Sequence, residues 1–183
     1  MTAFQYSQTV PTGRPYDRLS AARRQAREPR RLEYREVRAP FQILVIPFRR
    51  TESGPEFAVL KRSDADYWQF VAGGGEEGET PIQTAERETQ EEIGIAGELM
   101  PLDSLSTVPK DCFAAADSWG EDVYVVPEHC FAVPVGNRDI RLSSEHAEFQ
   151  WVSFEQACSL LKWDSNRNAL WELNQRLLKE RGS

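Results

Sequence analysis

Three carboxylates stand close together on one predicted helix. Glu88, Glu91 and Glu92 are spaced i, i+3 and i+4, so their side chains project from neighbouring positions of a helix. Like charges at this spacing repel by roughly 0.2–0.5 kcal/mol per pair. A hard divalent cation would offset this repulsion, and Mg²⁺ is usually held by a few carboxylates together with substrate phosphates. The alternative is a solvated acidic face with Arg87 as a local counter-charge.

The helix that carries these carboxylates is predicted to begin after Thr80 and to stop at Gly94. Thr80 is the predicted N-cap, Pro81 takes the first helical position, and Gln83 completes a capping box. Gly94 favours the left-handed conformation that ends helices. A glycine-rich loop is predicted before the helix, over residues 73–78. The side chains expected to face the core are Ile82, Ala85, Thr89 and Ile93.

The spacing of glycines and charges around this helix is more specific than three acids on one face. Five residues separate Gly73 from Glu79, and seven more separate Glu79 from the pair Arg87 and Glu88. Two residues then precede Glu91 and Glu92, and one residue precedes Gly94 and Ile95. This stretch resembles the signature box of the Nudix hydrolases, with every charged and glycine position filled. One position departs from the family pattern: Thr89 stands where a bulky apolar residue is preferred, although its methyl group can still pack.

The resemblance implies a role for each acid at the end of the box. Glu91 and Glu92 match the main metal ligands, and Glu88 matches a further ligand or the group that orients the attacking water. The backbone carbonyl of Ala72, just before the box, would be another ligand. The implied cofactor is Mg²⁺, with Mn²⁺ as an alternative.

Other residues are expected to support or extend this site. Arg87 and Glu79 match a pair that braces the loop against the helix. Glu145 is the best candidate for a carboxylate from outside the box, with a solvated loop acid as the alternative and Glu128 as a weaker rival. His146 is expected to position the loop that carries Glu145 and not to bind metal.

Three residues are candidates for binding substrate. Arg62, at the end of a predicted strand, is positioned to hold a phosphate oxygen, with an exposed structural arginine as the alternative. Trp119 and Phe113 lie in a long irregular segment, residues 109–121. Their rings either stack on a base or another ring of the substrate or pack this segment against the protein.

Motifs outside the box extend the resemblance over roughly residues 38–178. They look like those of the branch that contains dihydroneopterin triphosphate and dATP pyrophosphohydrolases, and comprise residues 67–70, Glu145 and His146 with Trp151, and residues 163–167. The resemblance implies that water attacks a phosphorus atom of a nucleoside or pterin triphosphate, or of another nucleoside diphosphate linked to a group X. Residues 163–168 would line the substrate cleft or cap a helix.

Two other functions compete with hydrolysis. A non-catalytic Nudix-like nucleotide sensor or interaction domain would usually carry a damaged box, whereas Glu88, Glu91 and Glu92 are all present here. RNA decapping or RNA end processing would use the arginines near the N-terminus, but the rest of the chain is acidic.

Charge is unevenly distributed along the 183 residues. The formal net charge is −7, yet residues 1–38 hold nine arginines and four acids, so that segment carries +5 and the remainder carries −12. An acidic body argues against nucleic acid as a partner and favours a small-molecule nucleotide or pterin phosphate. Cys112, Cys130 and Cys158 form no CxxC pair, so no disulfide is predicted and a reducing cytoplasm fits. No apolar stretch approaches the roughly 18 residues that span a membrane.

The order of the predicted elements indicates an α/β fold. Strands mixed with helices predict a sheet covered by helices on both faces, in agreement with the α/β/α sandwich and mixed sheet that the resemblance implies. Residues 123–126 and 130–133 are predicted as separate strands. The Nudix hydrolase domain is predicted over residues 34–183. Residues 1–33 are predicted to be a basic extension, flexible or helical over residues 17–28, with a transit-peptide-like bias as the alternative.

Overall fold

The structure, a computed structural model, describes residues 38–181. The predicted extension over residues 1–33 lies outside the described residues. The strands are β1 (Arg38–Thr51), β2 (Gly54–Arg62), β3 (Trp68–Gln69), β4 (Val71–Glu76), β5 (Met100–Pro109), β6 (Val125–Pro134) and β7 (His146–Val152). The helices are α1 (Pro81–Ile93), α2 (Phe154–Leu160) and α3 (Asp164–Arg181), with short 3-10 turns at Lys110–Cys112 and Ala116–Ser118. None of the helices in the described range is long and apolar enough to cross a membrane.

The described strands form one mixed sheet of seven. Five of them follow the order β3-β2-β1-β6-β5, while β4 pairs with β1 and β7 pairs with β2. β1 and β6 run parallel, and the remaining pairs are antiparallel. In the central strand β1, Gln42 is aligned with Gly74 of β4 and with Glu128 of β6. This alignment places the glycines of the box near the start of β6.

Alternate residues of β1 enter separate cores on the two faces of the sheet. Ile43 and Val45 belong to the core that includes Ala85 and Ile93 of α1. On the other face, Leu44, Ile46 and Phe48 share a core with side chains from α2, α3 and the residue between them: Ala157, Leu161, Ala169, Leu170, Leu173 and Leu177. The α/β/α sandwich with a mixed sheet that the sequence predicts is confirmed.

Helix α1 begins and ends where its sequence predicts. The backbone N–H of Thr80 donates to Gln83 Oε1 at 2.9 Å, and Gly94 closes the helix in the left-handed conformation at φ 69°. Within the expected buried stripe, Ala85, Thr89 and Ile93 are buried and Ile82 is half-buried. Thr89 donates its hydroxyl to the Ala85 carbonyl at 2.6 Å, so the unusual threonine packs with its polar atom satisfied inside the helix.

Two local predictions were wrong. Gly73, Gly74 and Gly75 are part of strand β4 and not of a loop, because the backbone of Gly73 and Gly74 pairs with Ile43 and Gln42 of β1. The turn comes later, at Gly78 with φ 84°. The two strands predicted over residues 123–126 and 130–133 are replaced by the single strand β6, which begins only at Val125. Pro127 precedes the first pair of β6 with β1 and so needs no N–H on that side.

The helical core on the α3 face provides a matched test of the packing. Leu173 is fully buried, whereas Leu178 on the same helix is 46% exposed. We expect Leu173→Ala to lower the free energy of unfolding by about 2–5 kcal/mol, because it removes buried methyl groups and leaves a cavity. Leu178→Ala is expected to change it by only about 0.5 kcal/mol. Urea unfolding of both variants measures the difference, and equal effects would contradict this packing.

Candidate active site

Arg87 joins the strand, the turn and the helix of the box. Its guanidinium makes a two-pronged ion pair with Glu79, with Nε 2.8 Å from Oε1 and Nη2 3.0 Å from Oε2. Nη2 also donates to the Gly74 carbonyl of β4 at 3.2 Å. Glu79 in turn accepts from the Glu76 N–H at 2.9 Å and the Thr84 hydroxyl at 2.7 Å. The hydrogen bonds from Arg87 are the largest cause that lowers the pKa of Glu79 to about 2.

Glu88 lies buried between α1 and β4. Arg87 Nη1 donates to Glu88 Oε1 at 2.8 Å. A Cβ atom at Gly73 would lie 2.0 Å from Glu88 Cδ, so the carboxyl group occupies the space that the glycine leaves open. Burial raises the pKa of Glu88 to about 7, with smaller contributions from the charges of Glu92 and Glu91. The carboxyl therefore holds its proton up to nearly neutral pH.

Glu92 is buried one helical turn further along. Its Oε2 is 2.7 Å from His146 Nε2, and both side chains are almost completely inaccessible. Burial raises the pKa of Glu92, although hydrogen bonds from His146 and from the backbone N–H of Ala72 favour the charged form. His146 thus positions a carboxylate of the box directly, in addition to its place next to the Glu145 loop.

Glu91 is the exposed member of the three acids. Its carboxylate pairs with Arg87 Nη1 at 3.1 Å, and 58% of its side chain is accessible. The three carboxylates therefore do not share one solvated face: Glu88 and Glu92 are buried, and only Glu91 projects into solvent. Arg87 is the common cation for Glu88 and Glu91, as the counter-charge interpretation predicts.

The oxygen donors around α1 suit a hard divalent cation. Glu88 and Glu92 contact the backbone of β4 at Gly73 and Ala72, and Glu91 stands next to them on the helix. Among residues 38–181, no three His, Cys, Asp or Glu side chains already converge on one point. Arg87 and His146 instead hold the carboxylates. A cation would replace these contacts and would favour the charged form of the buried Glu88 and Glu92 and of the exposed Glu91.

A cleft of about 770 Å³ opens on the α3 face of the sheet. Ala72 lines it, and the Ala72 N–H also contacts Glu92, so this residue connects the cleft with the carboxylates of the helix. The lining also includes polar and aromatic side chains and the apolar start of the irregular segment, among them Gln42, Arg62, Tyr67, Gln69, Glu128, Trp163, Asn166, Pro109 and Phe113. Such a mixture is typical of a small-molecule site.

Arg62 and Glu145 are brought together at the rim of this cleft. Arg62 Nη1 donates to Glu145 Oε2 at 2.9 Å, and two further nitrogens of Arg62 bind both oxygens of Asp64 at 2.7 and 2.8 Å. Glu145 is otherwise exposed, with 58% of its side chain accessible. The cation and the acid predicted for different tasks thus form one ion-pair group.

The two candidate stacking rings contact each other but line different depressions of the surface. Phe113 lines the cleft, while Trp119 lies over a smaller surface depression beside Arg38 and Gly78. The Trp119 indole N–H donates to the Arg38 carbonyl at 2.6 Å, and the two rings meet edge to face at 5.5 Å. The structure does not bring Trp119 into the cleft lining, so its predicted contact with substrate stays a prediction.

Gln42 is a candidate that the sequence analysis missed. It donates to Glu128 Oε2 at 2.7 Å and lines the cleft. The sequence does contain an indication of its role, because Gln42 is a polar residue within the otherwise apolar strand FQILVI. Asn166 was included only within a motif, and it accepts from the Phe70 N–H at 3.1 Å while lining the same cleft.

Comparison with known proteins settles the family. Residues 40–172 match the family model described as the Nudix domain. The chain belongs to the Nudix family. Hydrolases of this family need a divalent metal, and the class predicted from the sequence, a hydrolase of phosphorus-containing anhydrides, is confirmed by this membership and by the relatives.

Two curated Nudix relatives differ in their named substrates. The dihydroneopterin triphosphate diphosphatase of Escherichia coli is 31% identical over 135 residues, which cover 72% of this chain and 89% of that protein. The asymmetrical bis(5'-nucleosyl)-tetraphosphatase of Rattus norvegicus is 32% identical over 122 residues, which cover 66% of this chain and 79% of the relative. The predicted resemblance to the dihydroneopterin triphosphate branch is confirmed.

Solved structures agree with the fold of this Nudix chain. A Nudix hydrolase from Listeria monocytogenes is 46% identical with a TM-score of 0.71, covering 78% of this chain and 97% of that one. The dihydroneopterin triphosphate pyrophosphohydrolase of E. coli is 28% identical with a TM-score of 0.63, covering 76% and 97% of the two chains.

The contact between Gly73 and Glu88 predicts a variant that loses activity and keeps its fold. In Gly73→Ala the new Cβ would overlap the end of the flexible Glu88 side chain, which must move out of its position. We expect hydrolysis to fall about 10- to 100-fold, a loss typical of displaced supporting contacts, with little change in the urea midpoint. Gly120→Ala is the control, because its Cβ would meet no atom within 4 Å.

The raised pKa of Glu88 predicts a pH dependence of stability in metal-free protein. In the folded state Glu88 keeps its proton up to about pH 7, whereas in the unfolded chain its pKa is the ordinary 4.5. Between these two pH values the folded state therefore binds more protons than the unfolded state. The free energy of unfolding should therefore fall as pH rises through this window, by up to about 3 kcal/mol. Urea unfolding in EDTA should show this slope in wild type and in the exposed-site control Glu86→Gln, and a clearly smaller slope in Glu88→Gln, in which the raised pKa values of Glu92 and Glu128 still contribute.

Proposed function

We propose that this chain is a Mg²⁺-dependent pyrophosphohydrolase that cleaves a nucleoside or pterin triphosphate, or another nucleoside diphosphate linked to a group X. The observation that carries the proposal is the position of Ala72, which lines the cleft and contacts Glu92 through its backbone. A substrate in the cleft would thereby place its phosphates beside the carboxylates of α1. Mn²⁺ is the alternative metal.

The box residues would hold the metal and organise the attack. Glu88, Glu91 and Glu92, with the carbonyl of Ala72, are the proposed ligands, and these oxygens match the preference of Mg²⁺. When bound, the ion supplies charge that stabilises the phosphate oxygens and lowers the pKa of water. Glu88 has a second proposed task, which is to orient the attacking water, as the family resemblance implies.

Supporting side chains would keep this arrangement in place. Arg87 and Glu79 tie the helix to strand β4, so the carboxylates start from a defined geometry. Glu145 is proposed as an additional carboxylate near the metal, and Arg62 as a contact for a phosphate oxygen. Their ion pair couples the two roles, since binding of an anionic phosphate by Arg62 would free the Glu145 carboxylate.

The substrate class follows from the cleft and from the relatives. The relatives are named for dihydroneopterin triphosphate and for a bis(5'-nucleosyl) tetraphosphate, and both compounds join a flat heterocycle to a chain of phosphates. Tyr67 and Trp163 line the cleft and pack edge to face at 5.7 Å, which provides an aromatic wall for such a ring. Phe113 is a further ring in the lining.

The domain boundary and the compartment are also proposals. The Nudix domain is proposed over residues 34–183, which is supported by the family match at 40–172. Residues 1–33 are proposed as a basic extension to it. A cytoplasmic location is supported by the three free cysteines, Cys112, Cys130 and Cys158.

The first experiment is an activity panel with a matched pair of variants. Wild type, Glu91→Gln and Glu86→Gln are incubated with Mg²⁺ and dNTPs, dihydroneopterin triphosphate, diadenosine polyphosphates or nucleotide sugars. Glu86 is exposed on the same helix and outside the proposed ligand set, so its variant controls for loss of one charge. We expect turnover by wild type and Glu86→Gln and a loss of at least about 100-fold in Glu91→Gln.

The products identify the reaction and the alternatives. Released phosphate and pyrophosphate, assayed separately, show which anhydride bond is cut. If Glu91→Gln hydrolysed the substrate as fast as wild type, the proposed role of the box carboxylates in catalysis would be wrong. If the protein bound nucleotide but turned over no compound of the panel, the enzyme proposal would be wrong and a non-catalytic Nudix-like sensor would be favoured.

A further inference from the structure

Glu128 is a buried acid that the proposed reaction does not use. It lies near the start of β6 with only 3% of its surface exposed, and it lines the cleft. Gln42 donates to its Oε2 at 2.7 Å, but Oε1 is buried without a hydrogen-bond partner among the described residues. A buried oxygen left without a donor is costly, which favours a ligand that brings one.

The surroundings of Glu128 define what kind of donor fits. Burial raises the pKa of this carboxyl, while the nearby Ser165 hydroxyl and the Gln42 amide favour its charged form. Neither of them makes a hydrogen bond to Oε1. No Lys or Arg is paired with it in the described part of the chain. Oε1 therefore needs a hydrogen-bond donor from the ligand, such as an amino N–H, and not a phosphate, whose charge a carboxylate would repel.

The position of Glu128 separates it from the phosphate end of the site. Gln42 of β1 is aligned with Glu128 on one side and with Gly74 on the other, so Glu128 lies two strand spacings, about 10 Å, from the glycine strand of the box. Ala72 marks the phosphate end of the same cleft, beside Glu92. A ligand with its phosphates at Ala72 would extend its ring toward Glu128.

We propose that Glu128 Oε1 accepts a hydrogen bond from an exocyclic amino group on the heterocycle of the substrate, so that the cleft selects amino-substituted purine or pterin rings. Gln42 is a positioning residue in this arrangement, because it holds the other carboxylate oxygen. The inference rests on the proposed pyrophosphohydrolase function and adds the feature of the ring that is recognised.

The test compares substrates that differ by one amino group. Guanosine triphosphate is paired with inosine triphosphate, and adenosine triphosphate with purine riboside triphosphate. In at least one pair, wild type is expected to favour the amino-bearing compound by roughly 10- to 100-fold in kcat/KM, because removing the amino group leaves Oε1 unpaired again. Glu128→Leu, which has no acceptor, should reduce that ratio to about one.

Two further variants and a binding assay keep the outcome interpretable. Glu128→Gln has nearly the same shape and keeps one oxygen, so its ratio should fall between those of wild type and Glu128→Leu. Glu86→Gln should keep the wild-type ratio, and thermal unfolding checks that each variant folds. Calorimetric binding of guanosine and inosine monophosphates gives the same comparison without turnover.

Failure of this inference is distinguishable from failure of the proposed function. Hydrolysis with no amino preference in either pair, or with a preference that Glu128→Leu leaves intact, would overturn the role of Glu128 while the enzyme class stands. Absence of hydrolysis on the full panel would overturn the proposed function itself. In that case the ratio of the affinities for guanosine and inosine monophosphate still tests whether Glu128 recognises the amino group.

Discussion

The four-way contact of Arg87 is the interaction on which the rest of the site depends. One guanidinium binds both oxygens of Glu79, reaches the Gly74 carbonyl of β4, and faces Glu88 and Glu91. Buried carboxylates on adjacent turns would repel each other and lose their hydration, and a nearby fixed cation limits both costs. Arginine suits this position because its rigid fork can satisfy a carboxylate and a carbonyl together. The helix, the turn and the strand are thereby held in one arrangement.

The same constraint explains why the glycines are needed where they are. Strand β4 passes so close to α1 that Glu88 occupies the space of a side chain at Gly73, and Phe41 does the same at Gly75. Close approach brings Ala72 against Glu92 and, on the other face of the sheet, into the cleft. Strand β4, with its small residues, thus lies between the acids of α1 on one side of the sheet and the cleft on the other. Larger residues in β4 would separate the two.

The cleft shows a division of chemistry along its length. The end near Ala72 and Arg62 is the one proposed for phosphates. Glu128, Gln42 and the aromatic pair Tyr67 and Trp163 line the end proposed for a ring that carries hydrogen-bond donors. In the proposed function, this polarity would orient an elongated substrate with its anhydride bonds toward α1. Fold alone does not determine such a preference, and relatives of similar identity to this chain are named for different substrates.

The sequence by itself determined the family, the limits of α1 and the identity of the box residues. These features are local: caps, helical periodicity and fixed spacing act within about twenty residues. Tertiary structure decided what depends on contacts between distant segments. It buried Glu88 and Glu92 while leaving Glu91 exposed, turned the predicted glycine loop into a strand paired with β1, placed His146 on Glu92, and kept Trp119 out of the cleft lining. Pairing between strands and burial against a neighbouring element are set by partners far along the chain, so no local pattern specifies them.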